Sequence, residues 1–89
     1  MPTLHLLIKG KVQGVFYRAS AKEMANKLKL NGWIKNTTEG NVEATVNGSE
    51  ESIEQFIDWC RKGLKNANVT DVLITPKPDD GLTGFQIIK

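Results

Sequence analysis

The sequence predicts an α+β fold of two layers, an antiparallel sheet with two helices on one face. The order is β-α-β-β-α-β with a short extra strand at the end. Three observations predict it. Apolar residues alternate at period two in the first strand-like run, two later stretches carry apolar stripes at helical spacing, and a hairpin-like segment separates those stretches.

The opening run "TLHLLIK" (Thr3 to Lys9) has Leu4, Leu6 and Ile8 on one side of an extended chain. From Arg18 the period changes. Tyr17, Ala21, Met24, Ala25 and Leu28 form one stripe of an amphipathic helix, and Asn31-Gly32 reads as its left-handed cap. In "GWIKNTTEGNVEATVNG" the arms are expected at Trp33 to Thr38 and Asn41 to Val46, with Glu39-Gly40 as the tight turn. Ser49 then caps a second helix, with Glu50 and Glu51 where the helix dipole favours acids. Its stripe is Ile53, Phe56, Ile57, Cys60 and Leu64, and it runs to about Gly63. "NVTDVLITP" is a strand ended by Pro76, with Lys77 and Pro78 suited to a guarded sheet edge, and "GFQIIK" supplies the short last strand.

This is the split βαβ, ferredoxin-like pattern. Right-handed crossovers make the first two strands parallel, with the third between them. Their C-terminal ends then share one rim, which brings the run after the first strand opposite Asn36 near the end of the second.

The chain of 89 residues fits one domain, 1–89, able to bury roughly 60–65% of its unfolded surface in a two-layer core. Hydrophobic residues make up 39% and charged residues 25%, ordinary for a soluble globular domain. A net charge of +2 is too small to argue for nucleic acid. The lone Cys60 excludes an internal disulfide and any multi-cysteine metal site. The start has no basic segment and no small-residue cleavage site, and no apolar stretch reaches membrane-spanning length, so a cytoplasmic protein without membrane association is expected.

The run "GKVQGVFYR" (Gly10 to Arg18) joins strand to helix. Gly14 can take positive φ, so that successive backbone N–H groups point into one concavity. The first helical turn adds unpaired N–H groups, and Arg18 adds a fork suited to two phosphate oxygens. The same run also reads as a glycine turn with a solvated arginine. It is not a Walker loop and lacks G-x-G-x-x-G, so no nucleotide is implied. Asn36 precedes the hairpin turn, which does not itself require it. Its amide offers an acceptor and donors that could hold a water.

Other candidates carry less chemistry. His5 has no partner evident in the sequence and reads as structural or exposed. Cys60, Trp33 and Trp59 read as packing, Glu50, Glu51 and Glu54 as a solvated helix face, and Asp79-Asp80-Gly81 as a turn.

"GKVQGVFYR" resembles the first signature of the acylphosphatase family, G-x-V-Q-G-V-x-[FY]-R. "GWIKNTTEGNVE" (Gly32 to Glu43) resembles the second, G-[FWY]-[VI]-x-N-x-x-[DE]-G-x-V-E. Ile34 and Glu39 stand where valine and aspartate are commoner, which bears on hairpin fit rather than chemistry. The resemblance implies hydrolysis of acyl phosphates to carboxylate and phosphate, with no cofactor and no metal. It implies that Arg18 and the backbone amides of Gly14, Val15, Phe16, Tyr17 and Arg18 bind the phosphoryl group, and that Asn36 positions the attacking water. It further implies that the phosphate itself takes that water's proton.

The residue chemistry agrees with that choice among phosphatases. Neither motif holds a histidine, cysteine or aspartate to act as nucleophile or acid. Expelling an alkoxide needs a proton or a metal, whereas a carboxylate, with a conjugate acid of pKa about 4, leaves unaided. The alternative use of such a cradle is a non-catalytic module that binds phosphate or carbamoyl phosphate. Retained Arg18 and Asn36, on a chain free-standing from Met1, favour turnover. RNA binding is disfavoured, because no run matches the aromatic-rich RNP pattern. The expected partner is a small acyl phosphate, and a monomer is expected from size.

Overall fold

In the computed structural model, which describes residues 1–13, 16–63, 65, 67–79 and 81–88, the seven elements follow in the expected order. They are β1 (Thr3–Lys11), α1 (Tyr17–Lys27), β2 (Asn31–Asn36), β3 (Val42–Asn47), α2 (Glu50–Lys62), β4 (Asn68–Lys77) and β5 (Phe85–Ile88). The sheet order is β4-β1-β3-β2-β5, with β3 antiparallel to both β1 and β2, so β1 and β2 are parallel as expected. The last strand departs from the antiparallel rule, since β5 pairs with β2 in parallel.

One face of the sheet is apolar and covered. Leu6, Ile8, Ile34, Val42, Ala44 and Val46 are buried against Tyr17, Ala21 and Ala25 of α1 and Ile53, Phe56, Ile57 and Cys60 of α2. Both helical stripes therefore face the sheet, with Met24 and Leu28 at the margin, while Leu64 lies outside the described residues. At α2, Ser49 Oγ accepts from the Ser52 N–H, and Glu50 and Glu51 occupy the first turn as the sequence indicates.

Three local expectations are corrected. The cap of α1 is not Asn31-Gly32. The chain reverses at Lys29 (φ 60°), where Lys29 N–H donates to Asn26 O and Leu30 N–H to Ala25 O, a Schellman arrangement with a buried leucine after the reversal. Gly32 instead lies within β2, where a Cβ would overlap the Thr45 carbonyl of the neighbouring strand. A lysine in this left-handed position is strained. Lys29→Gly is expected to raise stability by about 1 kcal/mol, read as a higher denaturant midpoint at unchanged slope. An unmoved or lower midpoint would remove strain from the account of this cap.

Second, the hairpin has no two-residue Glu-Gly turn. Its arms end at the Asn36↔Val42 pair, and Thr37 N–H donates to Asn41 O while Gly40 N–H donates back to Thr37 O. Glu39 keeps a negative φ, which excludes the type I′ geometry of a two-residue turn. The chain takes a turn closed by Gly40 at φ 88° instead. Third, Gly10 and Lys11 belong to β1 rather than to the loop. A register shift between Lys9 and Gly10 continues the strand along β4, and a Cβ on Gly10 would overlap Asn68 O. β4 is an edge strand as expected, though it runs one residue past Pro76, to Lys77.

Candidate active site

The ladders stop short of the rim where β1 and β2 end. The last β1–β3 pair is Ile8↔Val42, and the last β2–β3 pair is Asn36↔Val42. Beyond these rungs the end of β1 faces the hairpin loop 37–41. Gln13 joins them, its Nε2 donating to Thr37 O at 2.9 Å and to Asn41 O at 2.7 Å.

Arg18 is the second residue of α1 and half-buried. Among the described residues no carboxylate lies within ion-pair distance of it. The start of α1 contrasts with that of α2. It has no side-chain cap and no acid in its first turn, so its leading N–H groups are not spent on the protein's own anions. The residue before it, Phe16, sits at φ 62° with its side chain 83% exposed. A bulky residue in this region is a strained one, and such strain concentrates at functional sites.

Tyr17 contributes only backbone to this rim. Its side chain is buried, its hydroxyl donates to Cys60 O at 2.8 Å, and its ring packs against Trp59. Burial, reinforced by Cys60, holds the phenol well above its ordinary pKa, and burial pushes the Cys60 thiol up to about 12. Neither group ionises near neutral pH, and the bond from the Tyr17 hydroxyl to the Cys60 carbonyl pins the start of α1 to α2. Gly14 and Val15, expected to complete the amide cradle, lie outside the described residues.

Asn36 ends β2 in register with Val42, on the helix-covered face. Its Oδ1 is buried, and no protein group among the described residues donates to it. The loop beside it is held rigidly, with Asn41 N–H also donating to Thr37 Oγ1 at 3.1 Å.

The uncovered face of the sheet carries a separate network. His5 Nε2 lies 2.9 Å from Glu43 Oε2 and Lys35 Nζ lies 3.2 Å from Glu43 Oε1, while His5 and Lys35 both approach the Trp33 ring. His5 thus has partners that sequence reading did not find, because they lie on neighbouring strands. The hydrogen bond from His5, helped by Lys35 and opposed by burial, holds the Glu43 carboxyl below its ordinary pKa. A depressed carboxylate contributes stability above its unfolded pKa and loses it as pH falls through the folded one. Glu43→Gln is therefore expected to lower the melting temperature at pH 7. Its deficit should close only as pH falls through the depressed pKa of the folded carboxyl, below the ordinary glutamate range, where wild type is protonated too. A deficit independent of pH would show that the carboxylate charge is not what matters.

Gln13 is the residue the sequence left without a role. The signals were its fixed place in the first signature and a long polar side chain in a junction where neither strand nor turn asks for one. Asp79 accepts the Gly81 N–H as in a turn, and Asp80 lies outside the described residues. Among the described residues no three His, Cys, Asp or Glu side chains are grouped to hold a metal ion. Among the described residues no helix is long and apolar enough to cross a membrane.

Comparison with known proteins accords with this geometry. A sequence model described as Acylphosphatase matches residues 4–87. The acylphosphatase of Methylococcus capsulatus is 46% identical over an alignment covering 100% of this chain and 98% of that protein. That of Albidiferax ferrireducens is 46% identical, covering 96% and 91%. The crystal structure of acylphosphatase from Bacillus subtilis superposes with a TM-score of 0.96 at 32% identity, over 100% of both chains. With both signature runs converging on one rim of the sheet, the chain belongs to the acylphosphatase family.

Proposed function

We propose that the chain hydrolyses acyl phosphates to a carboxylate and inorganic phosphate. In this reading Arg18 and the backbone amides of residues 14–18 hold the phosphoryl group, and Asn36 orients the attacking water. Family membership, with relatives 46% identical over nearly the whole chain, makes acyl phosphate hydrolysis its activity. The roles of the individual residues are the further step.

The observation that carries those roles is the buried Asn36 Oδ1. A buried acceptor without a donor costs about 1–3 kcal/mol, so its retention at a rim facing Arg18's helix calls for a use. A water that donates one proton to Oδ1 directs an oxygen lone pair toward a phosphorus held in front of α1. The water oxygen bonds to phosphorus as the bond from phosphorus to the acyl oxygen breaks. The carboxylate departs with the electron pair, and a phosphoryl oxygen takes the water's proton.

Such a reaction asks for positioning and charge stabilisation more than for acid–base groups. A phosphoryl group at the uncapped start of α1 meets free N–H groups and the positive end of the dipole, with the Arg18 guanidinium beside them. The test is hydrolysis of acetyl or benzoyl phosphate by the wild-type chain in excess EDTA. Turnover undiminished by the chelator is expected. A chain that binds phosphate but turns over neither substrate would be a binding module, and this reading would fall.

A further inference from the structure

The geometry points to Gln13 as a positioning residue that holds Asn36 at its working distance from the phosphate-binding segment, an inference resting on the reading of Asn36 above. The two halves of the site lie beyond the reach of the sheet. β1 and β2 are not neighbours, and the ladders that connect each to β3 end together at Val42. From Lys9 to Lys11 the first strand pairs only with β4, on the side away from Asn36. Past Val42, nothing in the β-ladder fixes the gap between the loop and the hairpin.

Among the described residues, the hydrogen bonds that cross this gap both come from Gln13. A primary amide carries two N–H donors, and here one nitrogen uses them on two carbonyls, Thr37 O at 2.9 Å and Asn41 O at 2.7 Å. Those carbonyls stand at the two ends of the hairpin loop, and Thr37 is bonded directly to Asn36. One side chain therefore clamps both ends of the loop next to the asparagine and ties them to the residue that opens the phosphate segment. Glutamate cannot do this, because a carboxylate would face two carbonyl oxygens. Methionine has the length without the donors.

In the transition state the distance between water and phosphorus matters far more than in the phosphate complex. Displacement of a positioning group by about 1 Å costs on the order of a hundredfold in rate. Gln13→Met and Gln13→Glu are thus expected to lower kcat by roughly ten- to a hundredfold while inhibition by inorganic phosphate stays close to wild type. Gln13→Asn, which keeps the donors on a shorter stem, should recover part of the loss.

The deciding measurement is a double-mutant cycle. If Gln13 acts through Asn36, adding Gln13→Met to Asn36→Ala should cost little further kcat, because the group it positions is already gone. Equal losses on both backgrounds, or a Gln13→Met enzyme with wild-type kcat, would overturn the proposal. A readout on the wild-type protein guards against variants that fail to fold. The two Nε2 protons of Gln13 should exchange slowly with solvent and show couplings across the hydrogen bonds to the Thr37 and Asn41 carbonyl carbons. Rapid exchange without such couplings would remove the clamp. Because that readout needs no turnover, it separates failure of the clamp from failure of the hydrolase reading, which shows instead as a wild-type chain inert toward acetyl phosphate.

Discussion

Asn36→Ala is expected to lower kcat by about 10²–10³-fold with little change in inhibition by inorganic phosphate. The separation of the two effects follows from where the side chain sits. Asn36 belongs to β2 and the hairpin, whereas the groups proposed to bind phosphate belong to the junction of β1 and α1. In the proposed reading, removing the amide takes away the orienting acceptor for water and leaves the phosphate-binding groups in place. The same substitution should leave thermal stability unchanged or slightly higher, because it deletes a buried oxygen that no described protein group satisfies. A residue whose loss abolishes turnover while easing folding is one kept for chemistry. Asn36→Asp tests the sign of the charge. It retains an acceptor and nearly the shape, yet sets a negative charge close to a dianion, so it should weaken phosphate binding where alanine does not. If Asn36→Ala instead lost phosphate affinity in step with kcat, its role would be binding and the water-orienting assignment would be wrong. The measurements are steady-state kinetics with acetyl phosphate, competition by phosphate, and a thermal melt.

Much of the fold was legible because its signals are periodic. The stripe through Tyr17, Ala21 and Ala25 and the one through Ile53, Phe56, Ile57 and Cys60 are buried as spaced. The parallel placement of β1 and β2 followed from crossover handedness alone. What failed were end points. Gly32 looked like a helix cap because glycine usually is one there, yet it answers the close approach of Thr45 O on another strand. The true cap is Lys29, a residue type that carries no such signal. The same holds at the site. Arg18 and Asn36 stood out by residue type and place, whereas the role proposed for Gln13 comes from two carbonyls far along the chain, and the partner of His5 is a glutamate on β3. Partners across strands are set by tertiary register, which a linear reading reaches only through the fold.

Arg18→Ala carries the second large effect, and its pattern differs from that of Asn36. A hydrogen bond to a charged group contributes about 1.5–3 kcal/mol, so losing the guanidinium should weaken phosphate binding by roughly ten- to a hundredfold, with turnover falling along with it. Stability should barely change. Among the described residues Arg18 makes no ion pair that its removal would break, and the start of α1 is anchored by Tyr17 through Cys60 rather than by Arg18. Arg18→Lys separates charge from shape. It keeps the cation but loses the planar fork, so it should fall between wild type and alanine in phosphate affinity, nearer to alanine in kcat, where geometry counts most. Raising salt should erode what lysine retains more than what arginine does, since a point charge on a flexible stem is screened more fully than a two-bond contact at a half-buried position. Comparable phosphate affinity in Arg18→Ala and wild type would leave the backbone amides of the loop as the whole of the anion site, with Arg18 no more than a solvated side chain on α1.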